Sequence, residues 1–65
     1  MSKVLLRIRE VLKQKQMTQQ ELADQLGVSK VTVSYWCNNQ TVPSLETLSQ
    51  IARLLKVKIA NLIKE

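Results

Sequence analysis

Histidine is absent from this sequence, and glycine, proline and cysteine occur once each. Without His, the lone Cys37 cannot join a typical Cys/His zinc site, and no His-based triad or proton shuttle can be built. One Cys forms no internal disulfide, so nothing argues for a stapled, secreted scaffold. One Gly excludes a glycine-rich phosphate loop. No apolar run reaches the length of a membrane span, and no signal-peptide pattern opens the chain. The 65 residues have room for a single small domain, residues 1–65, with 45% hydrophobic residues to build its core. A domain this short buries little surface per residue, so good caps, short loops or a partner chain should help it. The expectation is a soluble, cytoplasmic domain that is not an enzyme and needs no metal or cofactor.

What the chain does have is charge of one sign. Ten Lys and Arg stand against five Asp and Glu, a net charge of +5. Residues 1–16 hold half of the cations, Lys3, Arg7, Arg9, Lys13 and Lys15, against Glu10 alone. Such a balance suits a polyanion, although charge by itself equally serves solubility and a solvated helix face.

The pattern predicts an all-α chain of five helices. Segment 3–14 sets Val4, Ile8, Val11 and Leu12 on one side at three- and four-residue steps. Segment 18–26 opens with Thr18 and carries Glu21 three residues on, a capping box, with Met17 and Leu22 placed as a hydrophobic staple. Gly27 suits the left-handed backbone that ends that helix. Ser29 caps a third helix over 30–37, and Asn38 and Asn39 stop it. Pro43 and Ser44 lead into a fourth, with Leu45, Leu48, Ile51, Ala52 and Leu55 as its buried stripe and Glu46 near its positive end. A short fifth helix over 58–64 offers Ile59, Leu62 and Ile63.

The third helix has an unusual outer face. At ~100° per residue, Trp36 and Cys37 share the side of Val33, while Val31 and Tyr35 fall opposite. Thr32 and Ser34 flank them, and Lys30 sits in the first turn. Ser and Thr can bond base edges in a DNA major groove, Val can cover a thymine methyl, and Lys can reach guanine acceptors or a phosphate. On the wheel alone, packing of Val31 and Tyr35 on a neighbouring element or a second subunit serves as well. The layout adds that an 18–26 helix, a tight Gly27-Val28-Ser29 turn and a 30–37 helix form a helix-turn-helix.

In order along nearly the whole chain stand Arg7-Ile8-Arg9-Glu10, Thr18-Gln19-Gln20-Glu21-Leu22-Ala23, Gly27-Val28-Ser29, Thr32-Val33-Ser34-Tyr35-Trp36, Pro43-Ser44-Leu45-Glu46-Thr47-Leu48, Ile51-Ala52, Leu55 and Val57. This run resembles the phage-repressor and Cro-like helix-turn-helix proteins, often called XRE-type regulators. The resemblance implies a compact, lambda-repressor-like DNA-binding domain with its helix-turn-helix at about 18–37. It implies base contacts from Lys30, Val31 and Tyr35. It implies phosphate or peripheral contacts from Gln19, Thr32, Ser34 and Asn38, with Ser29 a cap first and a phosphate contact second. Gln19 fits that role physically, because the start of a helix favours an anion. Asn39 stands where relatives often carry Gly, which indicates left-handed backbone rather than a further role, and Trp36 belongs to the core.

The implied function is sequence-specific binding of double-stranded DNA by a transcriptional regulator, a repressor, working as a homodimer on a two-fold operator. The expected seam is 56–65, where Ile59 or Ile63 would be exposed in a monomer. With no effector segment visible after Val57, no small-molecule ligand and no membrane contact are expected. Two alternatives share the fold: an antitoxin, which usually carries an added toxin-binding segment, and a protein-interaction module that has lost DNA binding, which the single Lys on helix three would suit.

One departure from the resemblance is informative. Many relatives carry Arg at the position of Leu12 and Glu at that of Cys37, a partly buried ion pair between helices one and three. Replacing both partners by fitting apolar groups is often neutral or stabilising, whereas replacing one is costly. Leu12 and Cys37 are therefore expected to touch, with Cys37 a small buried hydrophobe. Cys37→Glu with Leu12 kept is expected to lower the melting temperature; an unchanged melting temperature would show that the two do not meet.

Overall fold

The amides of Leu6 and Arg7, near the start of the described residues, are committed before any helix begins. Residues 5–64 are described in the computed structural model, the last of them as backbone only. Strand β1 (Leu5–Leu6) pairs antiparallel with β2 (Ile63–Lys64), Leu5 opposite Lys64 and Leu6 opposite Ile63. The Arg7 amide donates to the Leu62 carbonyl at 2.7 Å, and the Leu6 amide to Asn39 Oδ1 at 2.7 Å. Helix α1 therefore spans Ile8–Gln14 rather than starting at residue 3. The apolar step from Val4 to Ile8 fits a helix, but no capping side chain stands at its start, and Arg7 provides none. Lys3 and Val4 lie outside the described residues.

The next three helices follow the sequence reading closely. They are α2 (Gln19–Leu26), α3 (Lys30–Cys37) and α4 (Leu45–Leu55). Each is capped by the residue expected: Thr18 accepts from the Glu21 amide, Ser29 from Thr32 and Ser44 from Thr47, all at 3.1 Å. The fifth helix is replaced by a single 3₁₀ turn, Ile59–Leu62, that runs directly into β2. Four residues close one turn through Asn61 N–H to the Lys58 carbonyl at 2.9 Å, after which Ile63 is extended. Its β-branched side chain suits that strand better than a fifth helical turn.

All four helices stop in the same way. Gln16, Gly27, Asn39 and Lys56 have φ of 57, 74, 59 and 57°, the left-handed region. The next amide then donates back to the carbonyl five residues before it: Met17 to Leu12, Val28 to Ala23, Gln40 to Tyr35 and Val57 to Ala52, at 2.9–3.0 Å. This Schellman closure satisfies carbonyls that the helix end leaves open, and an apolar residue after the left-handed one commonly completes it. Met17, Val28 and Val57 do so, each packed partly buried against the core. Met17 also sits just before the Thr18 cap and Val28 just before the Ser29 cap, so one side chain pins the end of one helix and the start of the next.

The core gathers Leu6, Ile8, Val11, Leu12, Leu22, Ala23, Val33, Trp36, Cys37, Leu48, Ile51, Ala52, Leu55 and Leu62. Among the described residues no polar or charged side chain is buried. Leu45 departs from the expected stripe and is 71% exposed. It stands about 70° from the centre of the Leu48, Ile51, Ala52 and Leu55 face, on the first turn of α4. Ile59 and Ile63 also differ from expectation: both are half-buried and packed on the core of their own chain rather than left exposed.

Three of the four left-handed positions are not glycine, and each carries a Cβ where the backbone disfavours one. Lys56 is exposed and ends α4. Lys56→Gly is therefore expected to stabilise the domain by about 1 kcal/mol. Thermal unfolding would show it as a rise of roughly 4–8 °C for a chain this size, and an unchanged or lower midpoint would contradict the account.

Candidate nucleic-acid interface

Two helices and a three-residue turn set the site. The Thr18 capping box is complete: the Thr18 amide also donates to Glu21 Oε1 at 3.2 Å. Gly27 closes α2 in the left-handed region, and Ser29 starts α3 two residues later. Val28 between them is held against the core, so the turn is anchored by its middle side chain. The Ser29 and Thr32 hydroxyls bond each other at 2.9 Å, which commits both to the cap of α3.

Helix α3 divides sharply into two faces. Val33 is fully buried, and Trp36 and Cys37 are each 6% exposed. Val31 is 58% and Tyr35 46% exposed on the opposite side. Packing of these two inside the same chain, which the wheel left open, does not occur. Asn38, seven residues beyond Val31, continues the outer stripe at about 20° offset. Ser34 flanks it, half-buried, and its Oγ accepts from Asn38 Nδ2 at 3.5 Å. Lys30 is exposed at the first position of α3.

A helix-turn-helix family model matches residues 8–62. The chain belongs to the helix-turn-helix family. Its coordinates are similar to the crystal structure of "a putative DNA-binding protein" from Bacteroides fragilis, with TM-score 0.93 and 45% identity over 95% of this chain and 100% of that one. Its sequence is similar to the HTH-type transcriptional activator BcrR of Enterococcus faecalis, 37% identical over 49 residues. That match covers 75% of this chain and 24% of the relative, so the chain spans about a quarter of the relative's length.

Within the helix-turn-helix, the expected residues fall into three groups. Lys30, Val31 and Tyr35 lie exposed along α3. Ser29, Thr32, Ser34 and Asn38 are tied to one another in two pairs by hydrogen bonds. Gln19 stands at the first position of α2, half-buried, with no side-chain bond to the others among the described residues. Sequence reasoning gave Arg9 no contact role, placing it only in a basic block and in the run that carries the resemblance. Its guanidinium donates to Asn38 Oδ1, reaching from α1 to the end of α3. Glu10, the adjacent acid, is turned to Arg7 at 3.0 Å instead. No local pattern signals a bond across 29 residues. Asn39 was expected to supply left-handed backbone and no further role; the backbone is left-handed, but its side-chain oxygen also accepts from the Leu6 amide and so holds β1.

Leu12 and Cys37 are both buried in the same core cluster, at 3% and 6% exposure. Burial pushes the Cys37 thiol above its ordinary pKa, and the nearby Arg9 charge opposes that shift. A raised folded-state pKa means that the folded chain holds this proton more tightly than the unfolded one. The contribution is complete below the unfolded pKa and is lost as pH rises towards the folded value. Stability should therefore fall with pH above about 8.5, and more steeply than in Cys37→Ala, measured as midpoints of urea unfolding across pH 7–10. Parallel slopes in the two proteins would remove the thiol as the cause.

Proposed function

We propose that this chain binds double-stranded DNA sequence-specifically and regulates transcription, as a homodimer on a two-fold site. The observation that carries the reading is the division of α3: Val33, Trp36 and Cys37 hold its rear in the core, and Val31 and Tyr35 stand outward. An exposed aromatic and a methyl-bearing side chain beside hydroxyls match the edges of bases in a major groove better than they match water. Lys30, Val31 and Tyr35 contact bases. Gln19, at the positive end of α2, contacts phosphate, with Ser29, Thr32, Ser34 and Asn38 peripheral. The relatives support this reading by description, one as a transcriptional activator and one as a DNA-binding protein.

Pairing follows from reach. One eight-residue recognition helix reads only a few base pairs. Half-sites lie ~34 Å apart, and a body of 34 × 22 × 21 Å lets two neighbouring copies approach that spacing. Residues 56–65 remain the seam of the proposal, although Glu65 lies outside the described residues. Ile59 and Ile63 give it little free apolar area. Val42 and Leu45, 60% and 71% exposed, are the large apolar side chains left over on α4 and the loop before it. Repression by occupancy of the operator is the sign we assign, and the activator relative is the reason to measure it.

Selection of bound duplexes from a random pool tests these assignments together. The enriched site should be an inverted repeat, with affinity that falls steeply as salt rises. Tyr35→Ala should relax preference at one base position by ~1–3 kcal/mol, while Gln19→Ala weakens all sequences alike. Recovery of no preferred sequence, or binding indifferent to salt, would refute the reading.

A further inference from the structure

Resting on the DNA-binding reading, we infer that Arg9 of α1 is part of the recognition surface, where it clamps a backbone phosphate at the C-terminal end of α3. Three observations converge on it. Arg9 is exposed, and its guanidinium is fixed to Asn38 Oδ1 by the one hydrogen bond it makes among the described residues. Asn38 lies on the Val31–Tyr35 stripe and is itself steadied by Ser34 Oγ at 3.5 Å. The neighbouring acid, Glu10, pairs with Arg7, and among the described residues no carboxylate pairs with Arg9.

The chemistry of these groups sorts their roles. A guanidinium presents five donors in a planar fork, and Asn38 occupies only part of it. The remaining donors are pre-oriented at the rim of α3, the arrangement that favours bidentate capture of a phosphate. The N-terminal residues of a recognition helix face base edges, and its far end faces the strand that walls the groove. Asn38 already spends its carbonyl oxygen on Arg9 and its amino group on Ser34, so it is a positioning residue. The phosphate contact passes to the cation that it holds. The end of α3 also favours a cation there, because the helix presents its negative pole. Lys30 at the start of α3 and Arg9 at its end thus place one positive charge at each end of the outward face.

The test uses the duplex enriched from the random pool and an unrelated random-sequence duplex as probes, with affinity followed across salt concentrations. Arg9→Gln keeps an amide able to bond Asn38 but removes the charge. It should weaken both duplexes by about tenfold at moderate salt and make the slope of log affinity against log salt shallower by about one. Sequence preference and melting temperature should stay at wild-type values. Arg9→Lys should retain the salt slope while losing part of the affinity, and Asn38→Ala should lose affinity with the slope kept. Wild-type affinity and slope in Arg9→Gln, alongside the expected loss in Gln19→Ala, would overturn the role of Arg9 and leave the DNA-binding reading intact. Absence of salt-sensitive binding by the unmutated chain would overturn both.

Discussion

An isolated helix of eight residues does not persist in water, because nucleation costs more than so few hydrogen bonds return. Helix α3 has that length, so it exists only while the core holds Val33, Trp36 and Cys37. The same burial fixes its rotation, and rotation decides which side chains stand outward. Turning α3 by one residue, about 100°, would bring Ser34 into Val33's place and carry Val31 away from the rim. Stability and the choice of outward residues are therefore one constraint here. The side chains that contribute most to folding α3 also set which residues stand outward. Ser29 and the Asn39 closure act at the two ends, where they stop the helix from fraying into the turn or the loop.

The connections obey a related economy. Left-handed residues at Gln16, Gly27, Asn39 and Lys56 end every helix with the same back-bonded turn. Only one of these four is glycine, so the chain accepts Cβ strain at three exits to keep its loops short. Short loops matter in a chain whose core is small, since each floppy connection would add entropy that so few buried side chains must offset. Asn39 is used twice, since its backbone closes α3 and its side chain takes the Leu6 amide. That bond ties the two-stranded β1–β2 ribbon to the end of α3. The ends of the described chain thus brace α3 through a side chain as well as through the core, where Leu6 and Leu62 are buried.

Helices with a cap, an apolar period and a stop were legible in the sequence: α2, α3 and α4 lie where Thr18, Ser29 and Ser44 put them. The misses fall where those local signals are lacking. The start of α1 carries no capping side chain, so its helical spacing overstated its length, and the partner that draws Leu5 and Leu6 into a strand lies at the other end of the chain. The 59–62 segment has helical apolar spacing but too few residues to sustain a turn beyond the first. Leu45 matches the stripe of α4 by type, yet it precedes the turns that other elements cover. In the site, the exposure of Val31 and Tyr35 depends on what packs around α3, but their placing opposite Val33 follows from angular position alone. The Arg9–Asn38 bond does not, because it depends on the crossing of α1 and α3, which no spacing within either helix encodes.

That crossing also accounts for the departure noted at Leu12 and Cys37. In the resembling proteins an Arg at the position of Leu12 would occupy the core between these two helices and need an acid opposite. This chain fills the interior with two apolar groups and carries its cation at Arg9, one turn earlier on α1, at the rim. Desolvation of an ion pair often exceeds its Coulombic gain, whereas a guanidinium at the surface keeps its water and its reach. The cost of charge is thereby removed from the core without removing charge from the face of α3. The raised pKa of Cys37 fits the same division, since burial outweighs the influence of Arg9 at the thiol and so marks the boundary between a dry interior and a wet, positive edge. Stability at the α1–α3 contact is then apolar, and the electrostatic reach of the two helices is left to residues that can still meet an anion.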